Sequence, residues 1–258
     1  MSDSTVYTPD ERSKGKRYAK RVNYDKEAVS SIIKATPILH VSFNAPFSDD
    51  STPQFPTILP MLGAMSTYPS DNEPSIYLHG SSSARLMRLT SGHEDTGLPV
   101  CISATILDGY VLALTPFNHS CNYRSVVAFG HATRVTDADE TVWAMELITN
   151  RLIPDRWATS RTPPTKAEVT ATGILKVRIE TASAKTRTGG PHDDKKDLKN
   201  EDATSRVWTG TVPVYEVLGE PVPSADNQVK QVPGNIAQWV QESNQSSREY
   251  ATVRSLEE

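Results

Sequence analysis

Val100 to Leu107 (VCISATIL) alternates, with Val100, Ile102, Ala104 and Ile106 on one face. A period of two commits this run to a β-strand that buries one side. Tyr110 to Thr115 (YVLALT) resumes directly after Asp108-Gly109. Asp-Gly between two β-rich runs favours a type I′ turn, because both central residues take positive φ, so a hairpin is predicted here.

Other runs follow the same logic. Ile38 to Asn44, Phe55 to Leu62, Ser75 to His79, Arg124 to Val135 and Gly173 to Glu180 read as strands, and Val207 to Val217 as a short final one. In Gly173 to Glu180, Leu175, Val177 and Ile179 are predicted inward and Lys176, Arg178 and Glu180 outward. Gly130, in the middle of its strand, suggests a bulge or a close backbone approach. Residues 45–54 and Ser66 to Pro74 are rich in turn formers and read as loops, and Thr186 to Arg206, lacking apolar periodicity, as a solvated one.

Helices are fewer. Asp25 precedes Lys26 to Lys34, whose Ala28, Val29, Ile32 and Ile33 form one stripe ended by Thr36-Pro37. Asp137 with Glu140 makes a capping pattern ahead of Val142, Met145, Ile148 and Leu152, and Asn235 to Glu242 reads as a small terminal helix. No internal repeat is visible. Short strands with few helices point to a mainly β, α+β barrel, not a nucleotide-binding α/β sheet.

Composition excludes several classes. With 27 basic and 31 acidic residues in 258, the formal charge is −4, not the footprint of a nucleic-acid binder. Mean hydropathy is −0.45 and no run approaches the roughly 20 apolar residues of a membrane span. The N-terminus lacks the apolar core of a secretory signal, and Cys101 and Cys121 cannot make a disulfide framework, so a cytoplasmic protein is expected. Lys14 to Arg21 (KGKRYAKR) is compatible with a nuclear address or an anion-binding arm, and reads most simply as a solvated arm. GxSxG, HExxH, GxxxxGK[ST] and GxGxxG are all absent. His119 and Cys121 are a weak metal signal without a partner pair.

Two segments carry candidate chemistry. In Ile76 to Leu89 (IYLHGSSSARLMRL) a strand ends at His79, Gly80 and three serines follow, and a helix starts near Ala84. Serine hydroxyls, helix N–H groups and Arg85 or Arg88 suit a phosphate, although a serine-capped helix with surface arginines fits equally. In His119 to Gly130 (HSCNYRSVVAFG), Asn122, Tyr123, Arg124 and Ser125 put donors at a strand mouth. Their simpler reading is a turn that satisfies its own backbone.

The order RVNYD (Arg21 to Asp25), LHVSF (Leu39 to Phe43), IYLHGSSSARL (Ile76 to Leu86), PVCIS (Pro99 to Ser103), NYRSVVAFGHA (Asn122 to Ala132) and VWTGTVP (Val207 to Pro213) resembles the pyridoxamine 5′-phosphate oxidase-like family of FMN-binding split barrels, in its flavin-nucleotide-binding branch. The resemblance runs from about Arg17 to Val217. It implies a split β-barrel, a homodimer, and FMN in a groove between subunits. The oxidases' Y-T-N-Y-x-S-R-K segment places His79, Gly80, Ser83 and Arg85 at its threonine, asparagine, serine and lysine. Ala84 replaces its arginine, a gap that Arg88 or Arg124 would fill. The R-Q-V-R-I-x-G strand matches Arg124 to Gly130, with Ser125 at the glutamine. Thr57, Leu59, Pro60 and Met61 would offer backbone groups to the isoalloxazine edge, the expected arginine and lysine being Pro56 and Met61. Trp208 resembles a late tryptophan that contacts flavin.

The oxidases' C-terminal phosphate-recognising pattern is not visible, so pyridoxamine phosphate is not the expected substrate. His79 resembles a histidine near the flavin of nitroimidazole-reducing proteins, where it would donate a proton, or simply bond the cofactor. His40 and His131 fall within strand patterns and read as structural, and Cys101 as a small apolar residue. The expectation is an FMN-dependent oxidoreductase acting on a small organic substrate. The alternative is a flavin- or haem-binding carrier, sensor or scaffold without turnover, with His79 or His119 as the first axial ligands to test. Residues 1–20 are expected as a flexible arm, 21–218 as the barrel domain, and 219–258 as linker and helix.

Overall fold

The computed structural model describes residues 4–45 and 55–257. The expected loop at 45–54 therefore lies, apart from Ala45, outside the described residues. Eight strands are present: β1 (Val22–Asn23), β2 (Ile38–Phe43), β3 (Thr57–Ser66), β4 (Ser75–Ser81), β5 (Leu98–Leu112), β6 (Ser120–Arg134), β7 (Thr172–Arg187) and β8 (Gly210–Pro213). Pairing runs β1-β7-β4-β3-β2-β5-β6, and β6 returns to β7, so six strands close an antiparallel barrel with β1 and β8 as additions. Closure leaves no strand of the six with a free edge along its whole length.

The helices are α1 (Lys26–Ala35), α2 (Arg85–Thr90), α3 (Ala138–Leu152), α4 (Lys166–Ala171), α5 (Lys195–Leu198), α6 (Glu201–Arg206) and α7 (Gly234–Ser255). Chain contacts divide into two compact units: residues up to Thr105 with Ser125–Ala184, and Ile106–Arg124 with Lys185 onward. No helix among the described residues is long and apolar enough to cross a membrane.

The first unit holds most of the barrel. Alternation fills it: Leu39, Val41 and Phe43 of β2, Val100, Ile102 and Ala104 of β5, Val126 and Ala128 of β6, and Leu175 and Val177 of β7 are buried in one cluster. α1 adds Val29, Ile32 and Ile33. β4 is buried on both faces, Ile76 and Leu78 facing the barrel and Tyr77 facing α3, which explains a continuous apolar run instead of alternation. Outside the barrel, Lys176 bridges Asp71 and Glu140 at 2.7 Å each, and Tyr77 donates its hydroxyl to Glu140 at 2.7 Å. Burial, reinforced by Glu140, pushes the Tyr77 hydroxyl far above its usual range. Trp143 meets Tyr68 and Tyr77 edge-on at 5.2 and 5.1 Å, so ion pairs and rings together fix α3 against β4. Within the expected arm, Tyr7 is buried and Ser13 Oγ lies 2.6 Å from Thr181 Oγ1.

Four expectations are overturned. Asp108-Gly109 is not a hairpin turn, since β5 runs through it to Leu112. Gly109 does not take positive φ; it pairs with Pro213 of β8, and the Asp108 carbonyl accepts from Val214 N–H at 3.0 Å. The stretch 186–206 is not wholly loop, because α5 and α6 lie in it and Arg187 is buried. The terminal helix runs 22 residues, well past Glu242, while the last strand shrinks to four.

Gly130 confirms a close backbone approach. A Cβ there would stand 2.1 Å from the Arg178 carbonyl oxygen, at the β6–β7 seam. Gly130→Ala is expected to destabilise the protein by about 1–3 kcal/mol, as overpacking does, read from its urea midpoint. Burial, then the Glu73 carboxylate, pushes the Tyr7 hydroxyl up to about 12 from 10.0. The folded state thus holds that proton more tightly than the unfolded chain. Its stabilisation is complete below pH 10 and is lost as pH rises towards 12. Alkaline denaturation of Tyr7→Phe should lack that component.

Candidate functional site

β3 changes partner half-way. Thr57–Leu62 pairs with β2, from Phe43↔Thr57 to Ile38↔Leu62. Gly63–Ser66 pairs with β4, from Gly63↔Leu78 to Ser66↔Ser75. Past Leu78, β4 keeps only its other neighbour, with His79, Gly80 and Ser81 set against Ile174, Gly173 and Thr172 of β7. Thr57–Leu62 and His79–Ser81 consequently share no ladder. Backbone groups along these two stretches have no partner in a β3–β4 ladder, which makes this opening in the pairing a candidate place for a ligand. Pro60, with no N–H to offer, is tolerated where the ladder lapses.

The expected residues distribute around this opening in a defined way. Leu59 and Met61 pack against the barrel core, while Pro60 is exposed, so β3 offers the mouth its backbone more than its side chains. Thr57 is half-buried at the strand's start. On the opposite lip, Gly80 and Gly173 face each other and leave room for Met87: a Cβ on Gly80 would lie 3.3 Å from the Met87 methyl and 3.7 Å from that of Met61. His79 is half-buried, and its Nδ1 is a buried atom with no hydrogen-bond partner among the described residues. An imidazole nitrogen held out of water and unpaired is costly unless something docks against it. Ser83 Oγ lies 2.8 Å from Ser81 Oγ, and the Arg88 guanidinium donates to the Ser83 carbonyl at 2.7 Å. Ala84 provides the N-cap of α2 without a side-chain bond, and Arg85, exposed, begins the helix. Ser125, half-buried on β6, belongs to the same unit.

Asn122, Tyr123 and Arg124 belong to the second unit, inside β6 and not in a loop before it. Asn122 is fully buried; its amide donates to the Gly189 carbonyl at 3.0 Å, and its oxygen accepts from Arg187. Arg124 forks onto Asp108 at 2.9 and 2.7 Å and lies 3.8 Å from the centre of the Tyr250 ring. Both fill structural roles within their unit, and Tyr123 is half-buried beside them. Trp208 is 65% exposed and covers Gly210, where a Cβ would meet its ring at 2.7 Å. His119 Nδ1 accepts from Ala113 N–H at 3.3 Å. Among the described residues, no group of three or more His, Cys, Asp or Glu is placed to hold a metal ion.

A sequence model of the family described as pyridoxamine 5′-phosphate oxidase matches residues 25–186. The chain belongs to the pyridoxamine 5′-phosphate oxidase-like family. Both lips of the opening, Thr57–Leu62 and His79–Arg85, fall inside the match. Among solved structures, the flavocytochrome Anf3 from Azotobacter vinelandii is similar with 29% identity and a TM-score of 0.72, over 90% of this chain and 98% of that one. The FAD and heme binding protein from Mycobacterium smegmatis is similar with 25% identity and a TM-score of 0.69, over 85% and 97%. No curated protein sequence matches. The match to the pyridoxamine 5′-phosphate oxidase-like family stops at residue 186, whereas these two likenesses span 85% or more of the chain and so extend beyond it.

The lapse in the β3–β4 ladder has no signature in composition; a proline mid-strand followed by Gly63 was its only trace. The Asp108–Arg124 pair is testable directly. Asp108→Ala strands a largely buried guanidinium, and a loss of about 3 kcal/mol in unfolding free energy is expected, with Asp108→Asn intermediate.

Proposed function

We propose that this chain is a flavin-binding oxidoreductase that passes electrons between its flavin and a small organic molecule, working as a homodimer. The observation that carries this reading is the unpartnered Nδ1 of His79 beside a stretch of barrel where β3 and β4 do not pair. Membership of the pyridoxamine 5′-phosphate oxidase-like family and the likeness to a flavocytochrome and to an FAD and heme binding protein support it. A bound flavin would supply the electron or hydride chemistry, and the protein supplies binding and orientation. Backbone groups of Thr57–Met61 would meet the ring edge, and His79 would hold or deliver a proton at Nδ1. Ser83 and Arg85 would take the phosphate, one phosphate's worth of donors, which favours FMN over FAD. Phe55 and Ile58 are 71% and 60% exposed near the start of β3, an apolar surface that supports a second copy against this face.

The second reading is haem binding without flavin turnover, with His79 as axial ligand. Haem binding itself is favoured by the same unpaired nitrogen and by the names of both similar structures.

The absorption spectrum of protein purified without additives tests both. Flavin bands, with FMN identified by mass after acid release, are expected, and FAD would correct the cofactor. A Soret band lost in His79→Ala would establish the second reading. No pigment, together with no flavin uptake on titration, would overturn the proposal. Arg85→Ala should weaken flavin binding about tenfold, as loss of a charge-assisted bond of roughly 1.5 kcal/mol does.

A further inference from the structure

His131 and Glu180 stand on the outer face of the barrel, on β6 and β7, beside a cleft of about 570 Å³. Its lining among the described residues includes Arg12, Asn44, Pro56, Pro99, Phe129 and His131, with Ser42 and Cys101 beside them. His131 Nδ1 is 3.0 Å from Glu180 Oε1. A carboxylate only accepts, so Nδ1 carries the hydrogen and Nε2 of the neutral ring is left as an acceptor. No protein partner for Nε2 is found among the described residues.

Charge narrows the ligand. Arg12 is held by Asp10 at 2.6 Å and by Glu180 at 3.1 Å, and its guanidinium lies 5.7 Å from the centre of the Phe129 ring. Two carboxylates against one guanidinium leave the cluster net negative, which disfavours a carboxylate or phosphate ligand. The remaining surface is largely apolar, Phe129 and two prolines, with Asn44 adding a polar side chain and the Cys101 thiol pushed up by burial and so kept neutral. Ser42 adds a hydroxyl. A neutral, ring-shaped molecule with one O–H to give satisfies all of these surfaces at once.

We infer that this cleft is a binding site for phenolic compounds, with the aromatic ring against Phe129 and the prolines and the phenol O–H donated to Nε2 of His131. Glu180 is the positioning residue that fixes the ring's tautomer. The cleft adjoins the Thr57 end of β3, and its assignment does not rest on a flavin being bound beside His79.

Titration calorimetry of the full chain with 4-ethylphenol and with 4-ethylanisole, which keeps the ring but has no O–H, tests this. The phenol is expected to bind about tenfold more tightly than the ether, the difference one hydrogen bond makes. His131→Phe should abolish that preference while leaving ether binding and the flavin content unchanged, and Glu180→Gln should reduce it to a few-fold. Benzoate should not compete. Equal affinity for phenol and ether, absence of binding by both, or a preference that survives in His131→Phe would overturn the site. If His131→Phe does not fold, wild-type selectivity in Glu180→Gln would overturn it instead.

Discussion

A sheet can close on itself only where its last two strands come into full contact, and here that contact leaves no room for a side chain at Gly130. Gly130 lies against the Arg178 carbonyl at the seam between β6 and β7. Without that approach, β6 and β7 would each present a free edge, and the alternating apolar residues of β2, β5, β6 and β7 would lose the enclosed volume they fill. The chain then departs from a regular barrel at one other place, the change of partner along β3. Closure on one side is what lets the lapse on the other persist, because the remaining ladders hold the wall in register.

The two features explain why the candidate sites lie where they do. Regular pairing satisfies backbone groups and leaves nothing for a ligand, whereas the lapse exposes them beside His79. The outer face near His131 works differently, through side chains that point away from the filled interior. A small barrel filled by its own side chains leaves little room inside, so both candidate sites lie on the wall and its outer surface.

Much of this was legible from periodicity. β2, β5, β6 and β7 alternate because one face is buried, and α1 shows its stripe for the same reason. What was not legible depends on partners distant in the chain. Asp108-Gly109 carries the local signature of a turn, but Arg124 and β8 claim it for a continuous strand. α5 and α6 bury no residue and so leave no apolar pattern to read. α7 buries only Ala251, and its middle is sustained by polar pairs such as Gln238–Glu242 and Gln245–Glu249 and by Asn244, which both donates to and accepts from the Leu218 backbone. In the candidate site, the strand-to-helix segment at His79–Arg85 could be located from the residues. The engagement of Asn122 and Arg124 with neighbours within their own unit could not, because it needs Arg187, Asp108 and Tyr250 to be in place.

The facing glycines Gly80 and Gly173 put methionine sulfur beneath one lip of the opening. Met87 is sealed from solvent, but Met61 is not. Peroxide entering the mouth would therefore reach the Met61 thioether first and turn it into a polar sulfoxide. Because Met61 also packs against the barrel core, such ageing would loosen the wall at that point and lower the melting temperature.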